Sequence, residues 1–323
     1  MIVAVCAVSS AMAQLTPSKL YFGIDRPIVA DLAVPASAEG EVSVQLMSPL
    51  DAEGNTKTIA MAEASAGSVD LAALFPILWS NEAPRSTTYA QAFAGDTAVG
   101  PALVLQPLLT PKSAVASDPR SAPQFSTPPG GGTYAGLRVY VDRDVLLDTT
   151  AGNITVRLRP DHAPNAAWNF RSLVDGGFYE DILFHRIIDA RPGREPFVVQ
   201  VGDPTGTGTG GPGYFIDLED SKLPHDFGVI SMARSGDPNS NGSQVFLCLS
   251  RGGTAFLDGR YTTFGQSIDG ADAIRAIAET PVAAGDRPTG SDLPKIITAR
   301  LVDAAPHGTG MMPVQNPLEA GSR

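Results

Sequence analysis

The sequence predicts a mainly β protein in two parts: a small β-sandwich-like domain over residues 14–110, then a closed antiparallel β-barrel plugged by two helices over residues 133–305. Three observations carry this reading. Glycine and proline make up nearly a fifth of the chain (33 and 27 of 323 residues), so turns are frequent and long helices disfavoured. Short runs of alternating polar and apolar residues recur between turn signals. Finally, residues 111–132 (PKSAVASDPRSAPQFSTPPGGG) are nearly free of large apolar groups and cannot offset the entropy of ordering, which predicts a linker between two domains.

The first 13 residues (MIVAVCAVSSAMA) form an apolar run ending in Ala11-Met12-Ala13, the small-x-small form that signal peptidase reads. They are expected to be a signal peptide cleaved before Gln14, making the protein exported: periplasmic, cell-surface or secreted. Removal of Cys6 would leave Cys248 as a lone thiol between Leu247 and Leu249, packed as a small hydrophobe. No other segment approaches the roughly 18 apolar residues that span a bilayer.

In the N-terminal domain, Glu41 to Leu46 alternates strictly and puts Val42, Val44 and Leu46 on one face of a strand. Asp51 to Asn55 is a plausible hairpin connection to a second run carrying Ile59 and Met61. Thr88 to Phe93 and Ala102 to Leu109 supply further strands, in a pattern suited to an immunoglobulin or fibronectin-III kind of sandwich. No catalytic constellation occurs here, so a structural or adhesion module is expected.

In the second domain, Leu137 to Val141 and Ile154 to Leu158 read as strands joined through Asp142 to Asn153. Pro164 sits where a helix starts, Phe170, Leu173 and Val174 share one face, and Gly176-Gly177 stops it. A second helix is expected over Ala271 to Ala278, with Ile274 and Ile277 inward. Residues 306–323 show no periodicity and read as a flexible tail.

Several function classes are excluded. Acidic residues outnumber basic ones 34 to 23, a formal charge of −11, and no basic cluster interleaves with aromatics, which disfavours nucleic acid or anionic membranes as partners. His162, His185, His225 and His307 lack metal-ligand pairing, so no metal is expected. Gly206, Gly208 and Gly211 satisfy G-x-G-x-x-G, but Gly211-Pro212-Gly213 stands where a dinucleotide fold needs a helix. Ser243 lacks the G-x-S-x-G setting of a hydrolase nucleophile. No cofactor is expected.

The runs APNAAWNFRSLVDGGFYEDILFHRII (163–188), QVGDPTGTGTGGPGY (200–214), GVISMARSG (228–236), NSNGSQVFL (239–247) and FLDGRYTTFG (256–265) resemble the cyclophilins, in that family's order, between Gly136 and Pro306. The resemblance implies a peptidyl-prolyl cis/trans isomerase on an antiparallel barrel filled by side chains. Its partners would be proline-containing segments of unfolded or exported proteins, whose folding it would assist. The same resemblance fits a catalytically weak peptide-binding module, and the front domain alternatively makes the chain an adhesion or docking protein.

The chemistry can be argued without the family. Amide resonance imposes a rotational barrier of roughly 18–20 kcal/mol on an X-Pro bond, while cis and trans differ by only about 0.5–1 kcal/mol. Twisting the bond returns a lone pair to the prolyl nitrogen, so a donor fixed beside an apolar proline pocket stabilises the twisted form selectively. Arg186, permanently charged and rigidly forked, matches the family's catalytic arginine. By the same residue-by-residue match, Phe197, Val198, Phe246, Leu257 and Tyr261 would line the pocket. Gln200 and Gln244 would orient Arg186 or bind substrate backbone, and Ala233, Arg234 and Phe256 would line the neighbouring groove. His185, alternating to the other face, reads as structural.

Departures from the family pattern are specific. Residues 189–196 (DARPGREP) replace a shorter Pro-Gly connection. Val198 stands for a methionine, Arg234 for an asparagine, Phe256 for a frequent tryptophan and Tyr261 for a frequent histidine. Phe256 lacks an indole donor, which puts binding of cyclosporin-class inhibitors in doubt more than catalysis.

Overall fold

The computed structural model describes residues 14–34, 39–116, 121–127, 132–190 and 192–317. The expected signal peptide and Cys6 lie outside them. The described chain is mainly β and forms two compact units. One comprises the residues up to Leu109 with Tyr134–Asp142 and Asp303–Gly310; the other comprises Thr110–Thr133, Arg143–Val302 and the residues after Gly310.

The first unit contains a six-stranded antiparallel sheet in the spatial order Tyr21–Gly23, Tyr134–Val141, Thr97–Leu109, Thr88–Ala94, Val42–Met47, Thr58–Glu63. A three-stranded sheet, Gln14–Pro17, Val29–Ala33, Gly67–Asp70, accompanies it. Both feed one apolar cluster, with Leu15, Ala30 and Leu32 from the smaller sheet and Val44, Leu46, Leu103 and Leu105 from the larger. The hairpin at 51–55 closes through the Asp51 amide on the Asn55 carbonyl at 2.8 Å, with Gly54 at φ 83°. In the strand that follows, Ile59 and Met61 face outward while Ala60 and Ala62 pack against the cluster.

Three expectations about boundaries change. Tyr134–Val141 is a strand, but it pairs with Thr97–Leu109 and Tyr21–Gly23 and sends Leu137 and Val139 into the first unit's core. Alternation reports a half-buried strand and says nothing about which sheet receives it. The second unit's barrel therefore begins at Arg143–Thr149, a strand inside the segment read as a connection, which forms a hairpin with Gly152–Leu158. Within 111–132, read as a bare linker, Ser113–Val115 and Gln124–Ser126 pair antiparallel, and the Asn239 side-chain amide donates to the Ala114 carbonyl at 3.0 Å. Residues 306–317 of the expected tail are also held. His307 stacks on Tyr89 with ring centroids 3.7 Å apart, and the Val314 amide donates to Ser267 at 2.9 Å. These anchors are single side chains without periodicity.

The second unit is a nine-stranded sheet in the order Ile182–Leu183, Lys295–Asp303, Arg143–Thr149, Gly152–Leu158, Thr263–Asp269, Val229–Met232, Val245–Cys248, Val198–Val201, Arg186–Ile188. Its two edge strands are separated in sequence by only Phe184 and His185. Three residue steps span at most about 11 Å, so the sheet must curl until its edges adjoin. Among the described residues the edges are joined by chain, and no ladder pairs them.

Both expected helices are present, Pro164–Asp175 and Ala271–Ala278. The first has no capping side chain of its own; instead the distant Glu219 carboxylate accepts from the Asn165 and Ala166 amides at 2.7–3.1 Å, satisfying orphan donors where the helix dipole favours negative charge. Phe170, Val174, Ile274 and Ile277 are buried, and Phe170 packs on Tyr179 and Phe264 at 5.0 and 5.3 Å.

The assignment of 134–142 can be checked directly. Leu137→Ala removes a buried side chain from the first unit's core and is expected to lower that unit's unfolding free energy by about 2–4 kcal/mol. Hydrogen exchange followed across the whole protein should show protection lost in Val42–Met47 and Thr97–Leu109 before Val245–Cys248. Loss confined to the nine-stranded sheet would contradict the assignment.

Candidate active site

Four neighbouring strands of the second unit build two apolar surfaces from one alternating sequence. Ile187, Val199, Val201, Ile230, Met232, Val245 and Leu247 point into the main core. The residues between them, Val198, Val229, Phe246 and Cys248, form a separate cluster with Leu257, against which Phe197, Leu223, Ala233 and Tyr261 pack. Because side chains alternate with period two, the same backbone that fills the inside of the sheet must present these residues on its outside.

Register then fixes where the charged group stands. Arg186 lies opposite Gln200, Gln200 opposite Phe246, and Phe246 opposite Ser231, so the four share one transverse row. Two strand spacings separate Arg186 from Phe246, about 10 Å between backbones, a gap that an arginine and a phenylalanine side chain reach across. Gly202 permits this close packing. At φ 100° it occupies a conformation open to glycine, and a Cβ there would collide with the Ser243 carbonyl.

Phe246 and Leu257 are nearly fully buried and form the floor of the apolar cluster, while Phe197, Ala233 and Tyr261 are half-buried at its rim. Phe246 meets Tyr261 edge-on at 5.9 Å, and Phe197 stacks on Phe256 at 5.6 Å. Phe256 is 60% exposed and belongs to the flank of the cluster, not to its floor. The loop 189–196 is pinned at both ends, by Asp189 on Arg275 at 3.2 Å and by the Ser250 hydroxyl on the Pro196 carbonyl at 2.7 Å. None of its described residues enters the cluster.

The Arg186 guanidinium is 44% exposed, and a chain of side-chain amides leads from it into the protein. Its Nη1 lies 3.5 Å from Gln200 Oε1, Gln200 Nε2 donates to Gln244 Oε1 at 2.9 Å, and Gln244 Nε2 donates to the Gly210 carbonyl at 2.8 Å. The Gly210 amide in turn donates to Asp203, fully buried, whose carboxylate also accepts from the Gly208 amide and from the amide and hydroxyl of Thr205. Burial opposes the charge of Asp203, but the bonds from Gly210, Thr205 and Gly208 outweigh it and hold the carboxyl well below the usual range. The glycine-rich loop is thus a rigid cradle around a buried anion. On the other side, Asp286 Oδ2 stands 3.8 Å from Arg186 Nε, and the Asp286 carbonyl accepts from the Ile187 amide.

Asp203, Asp286 and His225 are the residues that sequence reasoning missed. His225 stacks beside Phe246 at 6.0 Å, with Nδ1 on Asp258 at 2.9 Å and Nε2 on the Ser231 hydroxyl at 3.0 Å. Burial pushes its pKa down more than Asp258 raises it. Burial also works against the Asp258 charge, but Arg251 and His225 hold that carboxyl at about 2. His185 is buried, and burial lowers its pKa more than Asp203 raises it. Cys248 is buried and its thiol is pushed up by burial, which removes it as a nucleophile. No cluster of ligands able to hold a metal occurs among the described residues, and no described helix is long and apolar enough to cross a membrane.

Arg186 thus stands as a forked cation at the edge of an outward apolar cluster. Comparison with known proteins supplies the family. The profile described as "Cyclophilin type peptidyl-prolyl cis-trans isomerase/CLD" matches residues 144–300. A "Peptidyl-prolyl cis-trans isomerase-like 1" of Aspergillus oryzae is 41% identical over 165 residues, covering 50% of this chain and 96% of that protein. "Peptidyl-prolyl cis-trans isomerase ppi1" of Schizosaccharomyces pombe is 37% identical over 150 residues, covering 45% and 91%. A solved Cryptosporidium parvum cyclophilin type peptidyl-prolyl cis-trans isomerase is 33% identical, with TM-score 0.44, covering 49% of this chain and 98% of its own. The chain belongs to the cyclophilin-type peptidyl-prolyl cis-trans isomerase family and is an isomerase.

The buried histidines set a pH dependence. Burial lowers the pKa of His162, His185 and His225, so in acid the unfolded chain takes up protons that the folded one refuses. Stability is full above the unfolded value near 6.5 and falls below it, by roughly 1 kcal/mol per pH unit for each such group. Urea unfolding at pH 7.5 and 5.0 should show a lower midpoint at pH 5.0; equal midpoints would contradict the buried neutral state.

Proposed function

We propose that the second unit catalyses cis/trans isomerisation of X-Pro bonds by electrostatic stabilisation of the twisted imide, with Arg186 as the donor to the prolyl nitrogen. The observation that supports it most is the shared transverse row of Arg186, Gln200 and Phe246, which sets a permanent cation beside an outward apolar cluster. A proline ring covering Phe246 and Leu257 between Phe197, Ala233 and Tyr261 places its nitrogen toward Arg186. The Gln200–Gln244 relay keeps the fork oriented, and the second amide of this pair can hold substrate backbone.

The reaction breaks no bond and moves no proton. Arg186 supplies N–H donors and takes no proton. A donor aimed at the pyramidal nitrogen interacts strongly only when resonance is lost, so its contribution goes to turnover and not to ground-state affinity. Clients are proline-containing segments of unfolded chains, and the apolar run ending at Ala13 points to clients outside the cytoplasm.

A protease-coupled assay with the full-length protein and a proline peptide tests this reading. The parent should accelerate isomerisation, and Arg186→Ala should lose about 10²–10³ in kcat/KM, the scale of one preorganised donor, with the melting temperature unchanged. A parent that binds the peptide without accelerating it would establish the binding-module alternative.

A further inference from the structure

The rim of the apolar cluster reverses the sign of the chain. Acidic residues outnumber basic ones 34 to 23 overall, yet three arginines border this cluster. Arg186 stands at one edge, Arg194 lies 5.9 Å from the Phe197 ring, and Arg234 lies 4.5 Å from the Tyr261 ring. Asp286 stands 3.8 Å from Arg186, and the other nearby carboxylates have partners of their own. Asp258 is taken by Arg251 and His225, and Asp237 accepts from the Asn239 amide.

Arg234 is the fixed member of this set. Its Nε and Nη2 donate to the Arg260 carbonyl at 3.1 and 3.0 Å, and its Nη1 donates to the Ser235 carbonyl at 3.0 Å. These three bonds to two neutral carbonyls, with the Tyr261 face, hold the guanidinium in one geometry but leave its charge uncompensated. Among the described residues no carboxylate lies within ion-pair distance of it. Five N–H groups belong to a guanidinium, so two remain for a ligand. Ordering entropy that a mobile arginine would lose on binding has already been lost in the free protein.

Resting on the isomerase reading, we infer that Arg234 is a specificity-determining residue that favours proline segments carrying an acidic residue next to the proline. A carboxylate on a side chain flanking a proline bound against Tyr261 is within reach of the two free N–H groups, while a lysine there would meet the Arg234 charge, with Arg186 and Arg194 along the same rim. An asparagine, usual at this position in the family that the chain resembles, has no charge with which to make this distinction.

The test uses the full-length protein and peptide sets differing only beside the proline, with Glu, Gln or Lys before it and, in a second set, after it. Exchange spectroscopy gives turnover, and calorimetry gives affinity. In at least one set kcat/KM should fall in the order Glu, Gln, Lys, with Glu over Gln by threefold to tenfold at low salt and less at high salt. Arg234→Gln should bring the Glu to Gln ratio within twofold, and Arg234→Glu should reverse the order. Ratios near one in both sets, or a preference that survives Arg234→Gln, would overturn the inference. If no peptide is turned over, the isomerase reading fails by itself, and the same ratios in binding affinity still decide the role of Arg234.

Discussion

The site depends on the two-residue alternation of four adjacent strands, Arg186–Ile188, Val198–Val201, Val229–Met232 and Val245–Cys248. One set of side chains fills the core and the other makes the outward apolar cluster, so neither can shift by one residue without inverting both. A register slip of that size would bury Arg186 and expose Ile187. The main core thereby fixes the position of a charge that it never touches.

Around that frame the electrostatics are set by burial. Apolar neighbours lower the local dielectric, which strengthens the field of Arg186 on any dipole placed over Phe246. The same environment would penalise a misplaced polar group, and the structure answers with connected bonds: two glutamines in series, a buried Asp203 ringed by loop amides, and His225 held between Asp258 and Ser231. In the proposed reaction such placement costs no reorganisation, because the groups are oriented before the bond twists.

Much of this was legible in the sequence, for identifiable reasons. The helices at 164–175 and 271–278 carry their own punctuation, Pro164 and Gly176 for the first and inward Ile274 and Ile277 for the second. Phe197, Val198, Phe246, Leu257 and Tyr261, which the family resemblance assigns to a pocket, pack in one cluster, and Ala233, which it assigns to the neighbouring groove, packs against the same cluster. What escaped depends on contacts distant in sequence. Alternation at 137–141 cannot say that Leu137 pairs with Pro107 and Phe22. The 306–317 segment looks aperiodic because it is held by separate anchors such as His307 on Tyr89. Asp286 comes to Arg186 from a loop 100 positions away, and the amides around Asp203 gather only once the glycine-rich loop folds back on it.

The central claim is that Arg186 acts on the twisted bond and not on the bound ground state. Two-dimensional exchange spectroscopy on one proline peptide, with the parent and Arg186→Gln at matched saturation, separates the two within a single sample. The account predicts that the exchange rate on the protein drops at least a hundredfold while peptide affinity changes less than threefold. A loss of affinity equal to the loss of rate, or an exchange rate left intact, would contradict it.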